Sequence, residues 1–322
     1  MRARILLVAI AATLAMAVAP TWGQQSYPTK PIEFVVPFGV GGGSDILARN
    51  IAKIIQEEKL LPQPLVVVNK PGGSGAVGYS YVASKRGDPY VIATVSSSFW
   101  TTPLLGQSPV NYQHFTPVAG LVYDTYLLLV NQNSAIKSLR DLVEVAKRSP
   151  KLVTVGGTGA TSDDAVVTYI FQRETGVQLN LIPFRSGGEV MTALLGRQVT
   201  IAWANPGEAV GQIEGKLARP LAVAAEKRLK QLPEVPTFKE LGINLVFRQL
   251  RGVVMPLDVP KDAVKILETA LLKMARTKAW QQNYVDRNML VPAPMGSEEF
   301  SKAIVATNEM YKRVFTELGV IK

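Results

Sequence analysis

The residues best suited to chemistry in this sequence are a run of glycines followed by two polar side chains. Gly41, Gly42 and Gly43 stand directly before Ser44 and Asp45, either of which can cap a helix. A glycine loop at the start of a helix leaves backbone N–H groups free and directs the positive end of the helix dipole at one point, so it suits an anion. A tight turn without a ligand is the alternative interpretation of this loop taken alone.

A second stretch, in the other half of the chain, repeats this arrangement with different residues. Thr158, Gly159 and Thr161 lead to Ser162 and Asp163, and either of the last two can cap a helix. Two helix N-termini that face each other across a cleft would present amide and hydroxyl donors to the same carboxylate. The repetition therefore favours a function in anion binding.

Further polar side chains stand where a ligand could be bound. Ser96 and Ser97 follow the predicted strand Val91–Val95, and open α/β sheets bind ligands at the carboxyl ends of their strands. Arg185 offers a guanidinium group to a second carboxylate, and Asn205 can donate or accept a hydrogen bond. The alternatives are ordinary loop polarity for the two serines, a solvated side chain for Arg185 and turn formation for Asn205.

Catalytic groups are scarce. The sequence has no cysteine, and its one histidine, His114, lies in a polar loop with no carboxylate close by, as expected for a surface or capping residue. Asp163 and Asp164 are adjacent, so on a helix we expect them to point apart and form no acid–base pair. There is no nucleophile-elbow motif and no P-loop. The sequence predicts a binding protein without catalytic residues, metal or cofactor.

One glycine pattern resembles a nucleotide-binding motif. Gly73, Gly75 and Gly78 match G-x-G-x-x-G after the predicted strand Leu65–Asn69. However, no acidic residue stands about twenty positions further on to bind a ribose. We interpret this stretch as a second glycine-rich turn between a strand and a helix.

The scaffold predicted for these residues alternates strands and helices. Short apolar runs such as residues 32–38 read as buried strands, and each is followed by a segment with helical spacing, which indicates parallel α/β sheets. Residues 121–130 and 246–256 are long enough to cross between two domains. The predicted division is domain 1 in residues 26–125 plus 248–322, and domain 2 in residues 126–247.

The N-terminus and the charge suggest where the protein works and what it binds. Arg2 and Arg4 precede an apolar run, residues 5–19, which predicts a signal peptide over residues 1–23, with a retained anchor as the alternative. Export without cysteine fits the bacterial periplasm. The formal net charge of +10 would attract small anions. Nucleic acid is not expected, because basic residues are scattered and no aromatic residues lie among them.

Several motifs, in order along the chain, resemble the substrate-binding proteins of tripartite tricarboxylate transporters, also called the Bug family. The motifs are Tyr27-Pro28-Thr29-Lys30-Pro31-Ile32, Val36-Pro37-Phe38 with Gly41-Gly42, Asp45-Ile46-Leu47-Ala48-Arg49, Asn69-Lys70-Pro71-Gly72-Gly73-Ser74-Gly75, Phe115-Thr116-Pro117-Val118-Ala119, Gly156-Gly157-Thr158-Gly159, Leu194-Leu195-Gly196, Lys216-Leu217-Ala218-Arg219-Pro220-Leu221-Ala222-Val223 and Leu232-Pro233-Glu234-Val235-Pro236-Thr237-Phe238. The resemblance covers essentially the whole chain after the signal peptide.

The resemblance implies a two-domain α/β fold of the type II periplasmic-binding-protein kind, each domain a mostly parallel sheet flanked by helices, with a ligand cleft between the domains. It places ligand-binding residues on both walls of that cleft. They are Phe38, Gly41, Gly42, Gly43, Ser44, Asp45, Ser96, Ser97, Thr158, Gly159, Thr161, Ser162, Arg185, Ser186, Gly187 and Asn205.

The implied function is that of a monomeric periplasmic receptor that captures a small organic carboxylate and delivers it to membrane permease subunits. A periplasmic enzyme using the same cleft, and a receptor for a signalling partner, are the alternatives. Val40 stands where the family often has proline, and Ala204 where an aspartate is common. The loss of that acceptor, together with Arg185, favours a mono- or dicarboxylate over an amino acid.

Overall fold

The computed structural model describes residues 27–159, 162–317 and 319–321. The predicted signal peptide lies outside the described residues. Within the described part, none of the helices is both long and apolar enough to span a bilayer.

The first of two sheets contains six strands. They are β1 Ile32–Val36, β2 Leu65–Asn69, β3 Val91–Val95, β4 Phe115–Asp124, β10 Gln249–Pro256 and β11 Val291–Met295, in the spatial order β11-β4-β10-β3-β1-β2. Strand β1 runs parallel to β2 and β3, whereas β10 runs antiparallel to β3 and β4, and β11 antiparallel to β4.

The second sheet contains five strands. They are β5 Leu127–Asn131, β6 Thr154–Gly157, β7 Asn180–Pro183, β8 Ile201–Ala204 and β9 Ala218–Val223, in the order β7-β6-β8-β5-β9. Strand β6 is parallel to β7 and β8, and β5 is antiparallel to β8 and β9. Both sheets are therefore mixed, and the expectation of mostly parallel sheets is wrong. Consecutive parallel strands need a crossover connection. Strands β5 and β10 instead enter their sheets directly from the segments that pass between the sheets, and both pair antiparallel with their neighbours.

Helices follow most of the strands. They are α1 Gly43–Glu57, α2 Ala76–Ala83, α3 Ser98–Leu104, α4 Leu139–Arg148, α5 Asp163–Thr175, α6 Gly187–Leu195, α7 Pro206–Glu214, α8 Lys261–Met274, α9 Lys278–Trp280 and α10 Ser297–Glu317. In α1, the apolar residues Leu47, Ile51, Ile54 and Ile55 recur at helical spacing, and all four are buried. The prediction of an α/β protein with two open sheets and flanking helices is confirmed.

The predicted crossing at residues 121–130 consists of two strands, because β4 ends at Asp124 and β5 begins at Leu127. Thr125 and Tyr126 alone connect the two sheets here. The chain returns beside them, since the Phe247 amide donates to the Ala224 carbonyl, and the Ala224 amide donates to the Tyr126 carbonyl. Buried residues of both sheets form one continuous hydrophobic cluster around these segments.

Candidate functional site

A cavity lies where the two sheets face each other at the carboxyl ends of their strands. Its free volume is about 40 Å³, well below the roughly 300–1,000 Å³ of typical small-molecule sites, so its walls lie close together. Its lining residues are Phe38, Gly42, Gly43, Ser44, Ser96, Ser98, Tyr126, Thr158, Ser162, Asp163, Asp164, Gly187, Trp203, Asn205, Glu208, Gln249 and Arg251.

Many of the residues proposed from the sequence surround this one cavity. Those that line it are Phe38, Gly42, Gly43, Ser44, Ser96, Thr158, Ser162, Gly187 and Asn205. Six others do not line it, namely Gly41, Asp45, Ser97, Gly159, Arg185 and Ser186, and Thr161 lies outside the described residues. Ser44 of the first stretch and Thr158 of the second therefore share a cavity although they come from different sheets.

The N-termini of four helices of nine or more residues meet at the cavity. Helix α1 contributes Gly43, α5 contributes Asp163, α6 contributes Gly187 and α7 begins after Asn205. Each N-terminus carries unpaired N–H groups and the positive end of a helix dipole. The sequence predicts that two of these helices, α1 and α5, act as a pair. The other two are short, and their contribution depends on how the second sheet folds.

The first turn of α1 is shaped by Asp45. The sequence predicted that Ser44 or Asp45 caps this helix. This prediction is wrong, because the cap residue is Gly42. The Asp45 carboxylate instead accepts hydrogen bonds from the Gly41 amide at 3.0 Å and from Arg49 Nε at 2.9 Å. Burial opposes ionisation of Asp45, but these donors and Asn69 outweigh it and lower the pKa of Asp45. Asp45 therefore stabilises the conformation of the glycine loop.

A buried ion pair forms the floor of the cavity. Arg251 Nε donates to the Asp124 carboxylate at 2.8 Å, and Arg251 Nη2 donates to Asn205 Oδ1 at 2.7 Å. Both charged side chains are almost completely buried. Gly43 lies so close that a Cβ there would overlap Arg251 and Asn205. Sequence reasoning missed Arg251, although an arginine inside the apolar run of β10 is itself a signal, because a buried charge needs a partner.

Two protein carboxylates already occupy backbone amides at the helix N-termini. Glu208 accepts from the Gly43 amide, which belongs to α1, and from the Asn205 amide at 3.2 Å. Asp164 accepts from the Thr158 amide. Burial raises the pKa of Glu208 to about 7 and also raises the pKa of Asp164.

Asp163 connects elements of both sheets. Its carboxylate accepts from the Gln249 side-chain amide, and the hydroxyl of Tyr311 lies 3.4 Å from its Oδ1. The Tyr126 hydroxyl lies 3.4 Å from an oxygen of Asp163 and from one of Asp164. Burial raises the pKa of Asp163 to about 7. Both aspartates line the same cavity, whereas the sequence predicted that they would point apart.

Arg185 is not among the residues that line the cavity. It is exposed, and its backbone carbonyl accepts from the Gly39 amide at 3.3 Å. The neighbouring Ser186 caps α6 through its hydroxyl, which accepts from the Glu189 amide. The guanidinium group at the cavity belongs to Arg251 instead.

Other chemistry finds little support in the described part of the chain. His114 is exposed, and its Nδ1 hydrogen-bonds within a turn to Asn111. Within residues 27–159, 162–317 and 319–321, no three acidic, histidine or cysteine side chains are grouped so that they could hold a metal ion.

Comparisons with known proteins agree with this geometry. Residues 47–320 match the family model described as "Tripartite tricarboxylate transporter family receptor". The chain is 32% identical to BugT of Bordetella pertussis over 79% of each chain. The structure of periplasmic binding protein BugD has a TM-score of 0.87 at 24% identity, covering 91% of this chain and 99% of that one. An R. palustris protein solved with adipate has a TM-score of 0.85 at 25% identity, covering 91% and 98%.

The match covers most of the sequence, and the fold agrees with that of the periplasmic binding protein BugD. Such proteins bind a solute without changing it chemically. The chain therefore belongs to the tripartite tricarboxylate transporter receptor family and is a solute-binding receptor, not an enzyme.

Proposed function

We propose that this protein captures a small organic carboxylate in the cavity between the two sheets and delivers it to the permease subunits of a tripartite tricarboxylate-type transporter. It would do so in the periplasm, after removal of a signal peptide over residues 1–23. The protein would act as a monomer.

The observation that carries the proposal is the meeting of four helix N-termini at one cavity. Their dipoles make the cavity favourable for negative charge. The protein's own carboxylates support this, because Glu208 and Asp164 bind the amides of Gly43 and Thr158 there. The hydroxyls of Ser44, Ser96 and Ser98 line the same space and can donate to a solute carboxylate.

The solved relative that contains adipate supports a carboxylate as the chemical class of the ligand. That relative has the same fold at 25% identity, so its ligand is a guide to the class and not to the individual compound.

Capture and release would follow from movement of two lobes. We assign residues 26–125 and 248–322 to lobe 1, and residues 126–247 to lobe 2. Hydrogen bonds from Gly39 and Gly43 of lobe 1 to Arg185 and Glu208 of lobe 2 hold the cleft closed. The short connections at Thr125–Tyr126 and Phe247–Arg248 are the places where a hinge could bend.

A thermal-shift and calorimetric screen of the mature protein against mono-, di- and tricarboxylates tests the proposal. A carboxylate that binds the folded state alone raises the melting temperature by mass action. Small amines and sugars of similar size serve as controls. If the controls raise the melting temperature and none of the carboxylates does, carboxylate binding is refuted. Delivery is tested by loss of uptake of the identified ligand when the receptor gene is deleted.

A further inference from the structure

We infer that Glu208 restricts the cleft to compact solutes that place a single carboxylate inside it. This inference rests on the proposed carboxylate-binding function and specifies the class of solute. It comes from the charges around the cavity and from the position that the Glu208 carboxylate occupies.

Glu208 is held in place from several sides. It stands in the first turn of α7, where one oxygen accepts from the Asn205 amide of its own helix at 3.2 Å. The other oxygen reaches across the cleft to the Gly43 amide at the start of α1. A Cβ at Gly187 would overlap the Glu208 carboxylate, so the start of α6 packs directly against it. The side chain therefore occupies one position at the cavity wall.

That position is a carboxylate-binding position. The N-terminus of α1 is where the sequence predicts that a ligand anion binds, and in the structure Glu208 is the carboxylate bound there. A solute carboxylate must therefore use the donors that remain, such as the hydroxyls of Ser44 and Ser98 and the guanidinium of Arg251.

The charges around the cavity leave little compensation for a second solute carboxylate. Arg251 is the one cationic side chain among the described lining residues, and its charge is already paired with Asp124. Glu208, Asp163 and Asp164 are acidic lining residues. Like charges brought together in a desolvated site repel one another strongly. A short dicarboxylate that fits entirely inside would place its second charge against these acids.

Among the three acids, Glu208 is the one that binds a backbone amide of the opposite wall, so its release frees that amide. Asp164 binds Thr158 on its own side, and Asp163 is held by side chains of Gln249 and Tyr311. Burial, and the nearby charge of Asp164, raise the pKa of Glu208 to about 7.

Titration calorimetry of the mature chain at neutral pH tests this with butanoate, butanedioate and propane-1,2,3-tricarboxylate. The first two share a four-carbon skeleton and differ by one carboxylate. We expect the wild type to bind butanoate about tenfold more tightly than butanedioate. Glu208→Gln keeps the size of the side chain and one of its two accepting oxygens but removes its charge. It should strengthen butanedioate binding about tenfold and change butanoate binding less.

Glu214→Gln is the matched control, because Glu214 is exposed at the other end of the same helix, and it should leave the ratio unchanged. A wild type that binds butanedioate as tightly as butanoate overturns the inference even if Glu208→Gln fails to fold. An unchanged ratio in folded Glu208→Gln overturns it too. Absence of binding by all three compounds to every variant would instead count against the proposed carboxylate function, and the inference would fall with it.

Discussion

The rings of Tyr126 and Phe247 lie 5.9 Å apart, edge to face, where the two connecting segments pass between the sheets. Tyr126 belongs to the outgoing segment and Phe247 to the returning one. The hydroxyl of Tyr126 reaches the cavity and lies 3.4 Å from oxygens of both Asp163 and Asp164. One side chain therefore joins the connection between the sheets to the acidic wall of the cavity.

Removing this hydroxyl should weaken the acidic wall while leaving the ring packing intact. We expect Tyr126→Phe to lower the free energy of unfolding by about 1–2 kcal/mol, because buried carboxylates lose a donor. Chemical denaturation at neutral pH measures the change. Tyr169→Phe, a substitution on α5 away from the cavity lining, is the control and should change stability by less than about 0.5 kcal/mol. Equal effects of the two substitutions would contradict the role of the Tyr126 hydroxyl.

The ligand-free protein should become less stable as the pH rises from acid to neutral. Burial raises the pKa of Asp163 and Glu208 to about 7, from ordinary values of 3.8 and 4.5 in the unfolded chain. Between these limits the folded state binds more protons than the unfolded state, so the free energy of unfolding falls with rising pH. We expect a melting temperature several degrees higher at about pH 5 than at about pH 8.

The same scan with Asp163→Asn identifies the group responsible, because the variant cannot titrate there and its melting temperature should depend less on pH. Asp262→Asn is a suitable comparison, since Asp262 also stands in the first turn of a helix but is exposed. Identical pH profiles for wild type and Asp163→Asn would show that Asp163 titrates normally.

Breaking the buried ion pair should be costly. Arg251→Met leaves Asp124 buried without its counter-charge, so we expect a loss of about 3–5 kcal/mol in the free energy of unfolding. The double variant Asp124→Asn with Arg251→Met should recover part of this loss. Arg248→Met changes an exposed arginine just before the same strand and should be nearly neutral. Denaturant unfolding measures the free energy of unfolding of the wild type and the three variants. A small loss in Arg251→Met would argue that water replaces the lost charge.

Two glycine-to-alanine substitutions should have opposite effects. At Gly43 the new Cβ would overlap Arg251 and Asn205, so Gly43→Ala should destabilise the closed cleft by about 1–3 kcal/mol. At Gly211, inside α7, a new Cβ meets no atom within 4 Å, and Gly211→Ala should stabilise by about 0.5–1 kcal/mol through helix propensity. Thermal unfolding checks both signs. A stabilised Gly43→Ala would mean that the two walls do not approach as closely as described.

Local patterns predicted the individual elements well. Strands β2 and β3 begin and end where the sequence indicates, because apolar runs bounded by polar residues define buried strands. Helix α4 begins directly after Ser138, whose hydroxyl and Asp141 form a capping box of the kind that a local sequence pattern specifies. The prediction failed where neighbouring segments compete, as at Asp45, which binds Arg49 and Asn69 instead of capping α1.

The sequence by itself determined that glycine-rich turns precede helices, that strands and helices alternate, and that catalytic groups are scarce, because these properties depend on residues close together in the chain. Long-range packing decided the chemistry of the cavity. Arg251, Glu208 and Tyr126 come from distant segments, and nothing in their local context brings them together. Burial then paired Arg251 with Asp124 and aimed Glu208 at the Gly43 amide, because a charge removed from water is stable only beside a partner that local sequence does not specify.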